Sequence, residues 1–154
     1  MTTDIRLRSG GAGAQCAPIL AELPEWFGIA QSNADYAARA EGGPAWVAEQ
    51  DGDAVGVMVL ESHGADAVEI HLLAVRRTAH RRGVGTRLVE RARAEAASRG
   101  ARYLTVKTRG PSRQYEPYER TRAFYRAVGF VALEEFDQIW GPENPCLFMV
   151  APVS

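Results

Sequence analysis

The sequence predicts an α/β (α+β) fold: a mixed, mostly antiparallel sheet of six to seven strands flanked by about four helices. Two alternating runs, Trp46–Gln50 and Ala54–Glu61, are separated by Asp51-Gly52-Asp53, which is typical of the tight turn in a β-hairpin. A nearly continuous apolar run, Glu69–Val75, has the pattern of a strand covered on both faces. The amphipathic stretch after Gly85 predicts a helix packed on that sheet.

The other elements follow from the same periodicities and from glycine and proline breaks. Pro18 should disturb the start of the first helix, and Ser32 or Asn33 should cap the second. Gly100 and Gly129 are expected to end the third and fourth helices. Beside the hairpin, the predicted elements are strand Asp4–Arg8, helix Ala12–Leu23, helix Ala34–Ala40, strand Val68–Val75, helix 83–99, strand Tyr103–Lys107, helix Tyr118–Val128, strand Phe130–Phe136 and strand Cys146–Val150.

Length and composition limit the class of protein. A chain of 154 residues predicts a single domain, 1–154, that is large enough for its own core. The formal net charge of −1 gives no reason to expect nucleic acid as a partner. Neither a signal-like N-terminus nor a membrane-length apolar run is apparent, and Cys16 and Cys146 form no redox or metal motif. We therefore expect a cytoplasmic protein without membrane association and without a metal.

The junction between the predicted strand and helix, HRRGVGT from His80 to Thr86, is the most informative stretch of the chain. Glycines allow backbone N–H groups to surround a ligand, and the first turn of a helix favours an anion. Arginines at 81, 82 and 87 add positive charge. The stretch therefore predicts a phosphate or pyrophosphate site. Leu88 stands where a P-loop needs the glycine of its Gly-Lys-Ser/Thr sequence and where a dinucleotide-binding fingerprint needs a third small residue. Both nucleotide-binding motifs are therefore excluded.

The loop resembles the acyl-CoA loop of the GCN5-related N-acetyltransferase (GNAT) superfamily, whose motif is Gln/Arg-x-x-Gly-x-Gly/Ala. Gly83 and Gly85 match the motif, Arg82 is the usual residue before the first glycine, and His80 departs from the Gln/Arg position. About forty residues later, FYRAVGF at 124–130 resembles the family's terminal Phe-Tyr-x-x-x-Gly-Phe motif. The order of predicted elements also resembles this fold over essentially the whole chain, in a bacterial branch of unassigned substrate.

The resemblance implies acetyl-CoA as co-substrate and an amine as acceptor. It implies that pantetheine bonds to the edge of the strand at Leu73, Ala74 and Val75, where a bulge would direct an N–H group near Leu73 or Ala74 at the thioester oxygen. It places the pyrophosphate on Arg81, Arg82, Gly83, Val84, Gly85 and Thr86. Tyr118 occupies the position of a further CoA contact.

Two side chains are catalytic candidates by the same resemblance. Tyr125 matches the tyrosine that faces the sulfur, where it would donate a hydrogen bond to the leaving thiolate. Glu69 lies at the spacing from Gly83 that the base of the histone acetyltransferase branch has. The alternatives for Glu69 are a solvent-exposed strand-edge residue and an ion pair with an arginine. His71, about 6 to 7 Å along the same face, would act instead or relay through water, and the alternative is a structural histidine whose hydrogen bonds are satisfied.

The acceptor site is predicted least sharply. Tyr115 is a candidate for its lining, although packing of its loop on the sheet explains this tyrosine equally well. Trp26 and Phe27 lie in the early helical region, which often forms the acceptor wall in this family. Trp140 should pack in the core or at the surface of a homodimer. Two alternatives to N-acetyl transfer stay open: a non-catalytic acyl-CoA-binding or regulatory module, and a transferase that uses a longer acyl-CoA or a hydroxyl acceptor.

Overall fold

A computed structural model describes residues 5–154. Within this range the chain forms seven strands, four α-helices and one 3₁₀ turn. In chain order the elements are β1 Ile5–Ser9, α1 Gly13–Ala21, α2 Ala30–Gly42, β2 Ala45–Gln50, β3 Asp53–His63, β4 Ala67–Val75, the 3₁₀ turn Arg77–Ala79, α3 Val84–Ser98, β5 Tyr103–Arg109, α4 Glu116–Ala127, β6 Val131–Phe136 and β7 Cys146–Pro152.

The seven strands of residues 5–154 form one sheet in the order β1-β2-β3-β4-β5-β7-β6. β4 and β5 are parallel, whereas the pairs β1–β2, β2–β3, β5–β7 and β6–β7 are antiparallel. The predicted fold class, a mixed and mostly antiparallel sheet with four helices, is therefore confirmed. None of the helices in the described part of the chain has both the length and the apolar character needed to cross a bilayer.

The predicted hairpin between β2 and β3 is confirmed. Asp51 and Gly52 both have positive φ angles, +54° and +83°, and Gln50 pairs with Asp53 across the turn. A two-residue loop of this kind follows the right-handed twist of the strands it joins. The Asp-Gly sequence thereby sets the register of the two strands.

The chain divides into two compact units. The first runs up to Glu61 and includes His71–Ala92, and the second comprises Ser62–Ile70 and Arg93–Ser154. Strands β3 and β4 contribute residues to both units. Each unit has buried apolar side chains of its own.

The core of the first unit lies between the two N-terminal helices and strands β2 to β4. Cys16, Ile19 and Leu20 on α1 are fully buried. Their neighbours in the same cluster include Val47, Val57, Val59, Leu72 and Ala74 from the strands. Gly56 on β3 allows α3 to approach closely, because a Cβ at this position would lie 3.1 Å from Val84 and 3.2 Å from Leu88. The helix that follows the glycine loop is thus packed directly on β3.

The second unit buries one face of α4 against β5 and β7. Tyr125, Phe130, Leu104, Val106 and Met149 have at most 5% of their surface exposed. Arg122 is also buried, and its guanidinium donates a 2.7 Å hydrogen bond to the carbonyl of Arg109 at the end of β5. This bond satisfies a charged group that would otherwise destabilise the core.

Helix boundaries are where the sequence prediction was least accurate. α1 continues through Pro18, although a proline in a helix lacks one backbone donor. α2 begins at Ala30 after Ile29, not near Ser32 or Asn33, and the Asn33 side chain instead donates to the carbonyl of Phe27 at 2.8 Å. Of the predicted first strand, Asp4 lies outside the described residues. α4 begins at Glu116, two residues before the predicted start.

Candidate active site

Two residues of the glycine loop have left-handed backbone conformations. Gly83 has φ +81° and Arg81 has φ +65°, so the chain turns sharply twice before α3 begins at Val84. The N–H groups of Val84, Gly85 and Thr86 belong to the first helical turn, where backbone donors lack partners within the helix and favour an anion. The Val84 side chain is buried, so only its backbone is available to a ligand.

The arginines around the loop have different surroundings. The Arg76 and Arg77 side chains are paired with Glu22 and Glu25, respectively, and Arg77 contacts both Glu25 oxygens at 2.7 and 2.5 Å. Arg82 reaches Gln50 at 3.5 Å, near the limit for a hydrogen bond, and Arg81 is exposed. Arg81 and Arg82 are therefore the arginines best placed to attract a phosphate.

His80, which departs from the family motif, braces the loop. Its Nε2 lies 2.7 Å from the carbonyl oxygen of Val75, the last residue of β4. A carbonyl only accepts, so Nε2 carries the proton and donates. The ring also packs edge-on against Trp26, with centroids 6.1 Å apart. His80 thus connects the end of β4 to the loop.

The predicted pantetheine edge, Leu73 to Val75, lies at the end of β4. The parallel pairing of β4 with β5 covers Ala67–Ile70, whereas β4 itself continues to Val75. The three residues are therefore beyond the segment whose hydrogen bonds β5 occupies. This register is compatible with a ligand that bonds to the strand edge, and the bulge expected near Leu73 or Ala74 stays a prediction.

Two of the predicted acceptor residues, Phe27 and His71, belong to one row of rings in the first unit. Phe27 packs edge-on against Tyr36 on α2, with centroids 6.0 Å apart, and Tyr36 lies 5.5 Å from the ring of His71. His71 in turn places Nδ1 3.5 Å from Glu61. Trp26 lies under the guanidinium of Arg77 at 6.0 Å. Phe27, Tyr36 and His71 thus form a half-buried row of rings. The sequence did not identify Tyr36 as a member of this row, because helical spacing alone assigns that residue to a core-facing stripe.

Glu69 is buried and paired in the second unit. Its side chain is 5% exposed, and its carboxylate lies 3.1 and 3.3 Å from Nζ of Lys107, the only lysine of the chain. Its Oε1 also lies 2.6 Å from Nε2 of His63, at the end of β3. The role of Glu69 as the base stays a prediction. The two alternatives, a solvent-exposed residue at the strand edge and an ion pair with an arginine, are both wrong, because the carboxylate is buried and its cation is a lysine.

Neither Lys107 nor His63 was singled out from the sequence. Glu69 is the register partner of Thr105 across β4 and β5, and Lys107 follows two residues later on the same face of β5. The alternation of side chains along β5 places Lys107 on the same face as Thr105. It indicates a contact between Lys107 and Glu69 only when the parallel pairing of β4 and β5 is known. Thr105 itself is buried, and its hydroxyl has no hydrogen-bond partner among the described residues.

Tyr125 is held rigidly on α4. The residue is 5% exposed, and its ring makes edge-on contacts with Phe124 and Phe130, each with centroids 5.3 Å apart. Phe130 also donates its backbone N–H to the Tyr125 carbonyl at 2.9 Å. The Phe-Tyr-x-x-x-Gly-Phe sequence thus forms one packed corner, in which Gly129 has φ +107° and reverses the chain.

Tyr115 and Tyr118 lie at the start of α4, with centroids 6.0 Å apart. The Arg109 guanidinium is 5.1 Å from the Tyr115 ring, so that tyrosine is partly engaged with the end of β5. Tyr118 is in the first helical turn, and its N–H bonds to the Tyr115 carbonyl at 3.1 Å. The pair is placed by α4 and not by an independent loop.

Both thiols are poor nucleophiles. Burial raises the pKa of Cys16 to about 11. Burial also raises the pKa of Cys146, an effect that Glu69 reinforces and Lys107 opposes. A thiol that stays protonated at neutral pH does not attack a thioester readily.

The fold and the glycine loop define a class of protein, and a family model agrees with it. The model of the acetyltransferase (GNAT) domain matches residues 41–132, more than half of the chain. The protein therefore belongs to the GNAT acetyltransferase family and is an acyltransferase. No curated protein matches the sequence.

Solved structures show the same fold. A protein described as a GNAT-family acetyltransferase from Desulfovibrio desulfuricans superposes with a TM-score of 0.83 at 16% identity, over 98% of this chain and 100% of that one. An aminoglycoside 6'-N-acetyltransferase complexed with coenzyme A has a TM-score of 0.76 at 20% identity, over 97% of both chains. A GNAT acetyltransferase from Elizabethkingia anophelis with acetyl-CoA bound has a TM-score of 0.71 at 16% identity, over 96% of this chain and 97% of that one.

Proposed function

We propose that this protein transfers an acetyl group from acetyl-CoA directly to a primary amine of a small molecule or peptide. The observation that carries the proposal is the loop in which Arg81 and Gly83 have positive φ angles immediately before the first turn of α3. In a GNAT chain this conformation presents backbone N–H groups to a pyrophosphate. The related structures that hold coenzyme A or acetyl-CoA support the same co-substrate.

Acetyl-CoA would contact three parts of the chain. The pyrophosphate would bind the N–H groups of Val84, Gly85 and Thr86, with charge from Arg81 and Arg82. Pantetheine would bond to the β4 edge at Leu73, Ala74 and Val75, which lies beyond the pairing with β5. Tyr118, in the first turn of α4, would provide a further contact.

The chemistry requires a neutral amine and a stabilised leaving thiolate. We assign removal of the amine proton to the Glu69 carboxylate, directly or through a group bonded to it. Tyr125 would donate a hydrogen bond to the sulfur. An ordinary phenol is a weaker acid than a thiol, and full proton transfer would be uphill by about 2 kcal/mol, so donation without transfer is the simpler role. Because neither cysteine is a ready nucleophile, direct attack by the amine is favoured over an acyl-enzyme.

The acceptor would lie against aromatic side chains. In the first unit these are Trp26 and Phe27, and His71 lies at the other end of the row that begins at Phe27. In the second unit Tyr115 is the candidate. Its ring contacts the Arg109 guanidinium and is half buried. We further propose that residues 1–154 act as one cytoplasmic domain that forms a homodimer, needs no metal and binds neither nucleic acid nor membrane.

Two measurements test the proposal. Acetyl-CoA at 100 times its Kd should add about 2.7 kcal/mol to the free energy of unfolding, visible as a thermal shift. CoA release should then be measured over a panel of amines, with glycerol as the hydroxyl control. The absence of a thermal shift at millimolar acetyl-CoA would refute the proposal. A shift without CoA release from any amine would indicate a non-catalytic acyl-CoA module, and a larger shift with a longer acyl-CoA would indicate another donor.

A further inference from the structure

We propose that the imidazole of His63 takes the proton from the acceptor amine, and that Glu69 and Lys107 act on the reaction by positioning this histidine. The inference rests on the proposed acetyl transfer and assigns its base to an atom. It starts from the contact that connects the ends of β3 and β4: Nε2 of His63 lies 2.6 Å from Oε1 of Glu69.

Access distinguishes the two members of this pair. The Glu69 side chain is 5% exposed, whereas that of His63 is 48% exposed. The Glu69 oxygens are also covered by Nζ of Lys107 at 3.1 and 3.3 Å. An amine would have to displace Lys107 or His63 before it touched the carboxylate. It can approach the histidine ring from solvent.

The contact also determines which ring nitrogen is basic. An ionised carboxylate only accepts hydrogen bonds, so Nε2 of His63 carries a proton and donates it. In the neutral ring the lone pair is then on Nδ1. The carboxylate would stabilise the imidazolium that forms when Nδ1 takes a second proton, as the aspartate does in a catalytic triad.

The surrounding charges are nearly balanced. Glu69 faces His63 from β4, and Lys107 on β5 offsets its negative charge. On β3 itself, Glu61 is two residues earlier on the same face and pairs with Arg39 at 3.5 Å. Near the hairpin turn, Asp66 pairs with Arg102 at 3.3 Å, and both side chains are about two-thirds exposed. Lys107 thus makes a buried carboxylate tolerable, and His63 is the member of the pair that solvent reaches.

Atoms and electrons balance in the reaction step. Nδ1 removes one proton from the ammonium group of the acceptor, and the neutral nitrogen attacks the thioester carbonyl carbon. The C–N bond forms and the C–S bond breaks, so the sulfur leaves with the bonding electron pair. The second amine proton reaches the thiolate, and the proton on His63 passes to water. The net products are the amide, the free thiol of CoA and one proton.

The test is the pH dependence of kcat at saturating amine for the wild type and two variants. His63→Gln keeps an N–H donor for Glu69 but cannot accept a proton. It should lower kcat about 100-fold, the lower range for general bases, and remove the acidic limb. Glu69→Gln should retain the limb, because the imidazole that accepts the proton is still present. Acetyl-CoA binding, measured by thermal shift, should be unchanged in both.

Asp66→Asn is the matched control. It removes a negative charge from the same hairpin without touching the Glu69 cluster, so neither kcat nor the acidic limb should change. His63→Ala with added imidazole gives a second reading, in which recovery of kcat with imidazole is expected. The inference is overturned if His63→Gln keeps the limb and a kcat within twofold of the wild type, if Glu69→Gln abolishes the limb, or if imidazole restores nothing. Absence of CoA release by the wild type would refute the proposed function instead, and this assignment with it.

Discussion

Tyr125 is the residue on which departure of the thiol is expected to depend. Its ring is fixed between Phe124 and Phe130, so removal of the hydroxyl should leave the packing intact. Tyr125→Phe should lower kcat about 10- to 100-fold, because one donor to the developing thiolate is lost, while acetyl-CoA affinity stays nearly the same. Steady-state kinetics and a binding titration measure the two effects.

Tyr103→Phe is the control for that substitution. Tyr103 is 42% exposed on β5 and contacts Arg102, so its hydroxyl has no part in the proposed reaction. Unchanged turnover of Tyr125→Phe would contradict the assignment of Tyr125.

At the residue scale, the sequence predicted which residues form the local motifs better than it predicted what each residue contacts. The Phe-Tyr-x-x-x-Gly-Phe corner could be recognised because its contacts are close in sequence. The partners of Glu69 could not be recognised from the sequence, because His63 and Lys107 reach this residue from two other strands. Trp140, which was expected in the core or at the surface of a homodimer, is 44% exposed, so only the core position is excluded.

At the element scale, the loop before α3 depends on the backbone freedom of Gly83. A Cβ there meets nothing within 4 Å, so Gly83→Ala adds only the strain of a left-handed residue. This strain is roughly 1 to 2 kcal/mol, and relaxation of the loop would move the N–H groups of α3. We expect acetyl-CoA to bind about 5- to 30-fold more weakly, measured by calorimetric titration.

Gly52→Ala provides the matched comparison. Gly52 has φ +83° and equally open space, but it belongs to the β2–β3 turn. It should lose similar stability without losing affinity. Equal affinities for the two variants would show that the loop does not hold the co-substrate.

The elements themselves were largely predictable. The seven strands and four α-helices of residues 5–154 follow in the right order from periodicity and from glycine and proline breaks, which act over a few residues. The starts of the helices were not predictable, because α2 begins after Ile29 with no side-chain cap and is stabilised by packing on α1 and on the apolar cluster of the first unit. Tertiary burial outweighed capping preference there.

At the scale of the whole molecule, the outer edge of the sheet supports the proposal of a homodimer. β6 is the last strand in the order, and its Val131 and Leu133 are each 60% exposed. Leu133 lies at the register shift between Ala132 and Glu134, so it has no partner on β7. Exposed apolar side chains on an edge strand favour association.

Light scattering should therefore give twice the chain mass for the wild type and the single-chain mass for Leu133→Glu. Glu134→Gln, next to it on the same strand, should leave the mass unchanged. A wild-type mass of one chain would contradict the homodimer.

The sequence by itself determined the fold class, the hairpin, the glycine loop and the terminal aromatic corner, because each depends on residues within a few positions of one another. Only the tertiary structure decided that Glu69 is buried between Lys107 and His63, that His80 braces Val75, and that Tyr36 joins the aromatic row. Those contacts depend on strand register and on how helices pack on the sheet. Register is set by long-range pairing, which local periodicity does not specify.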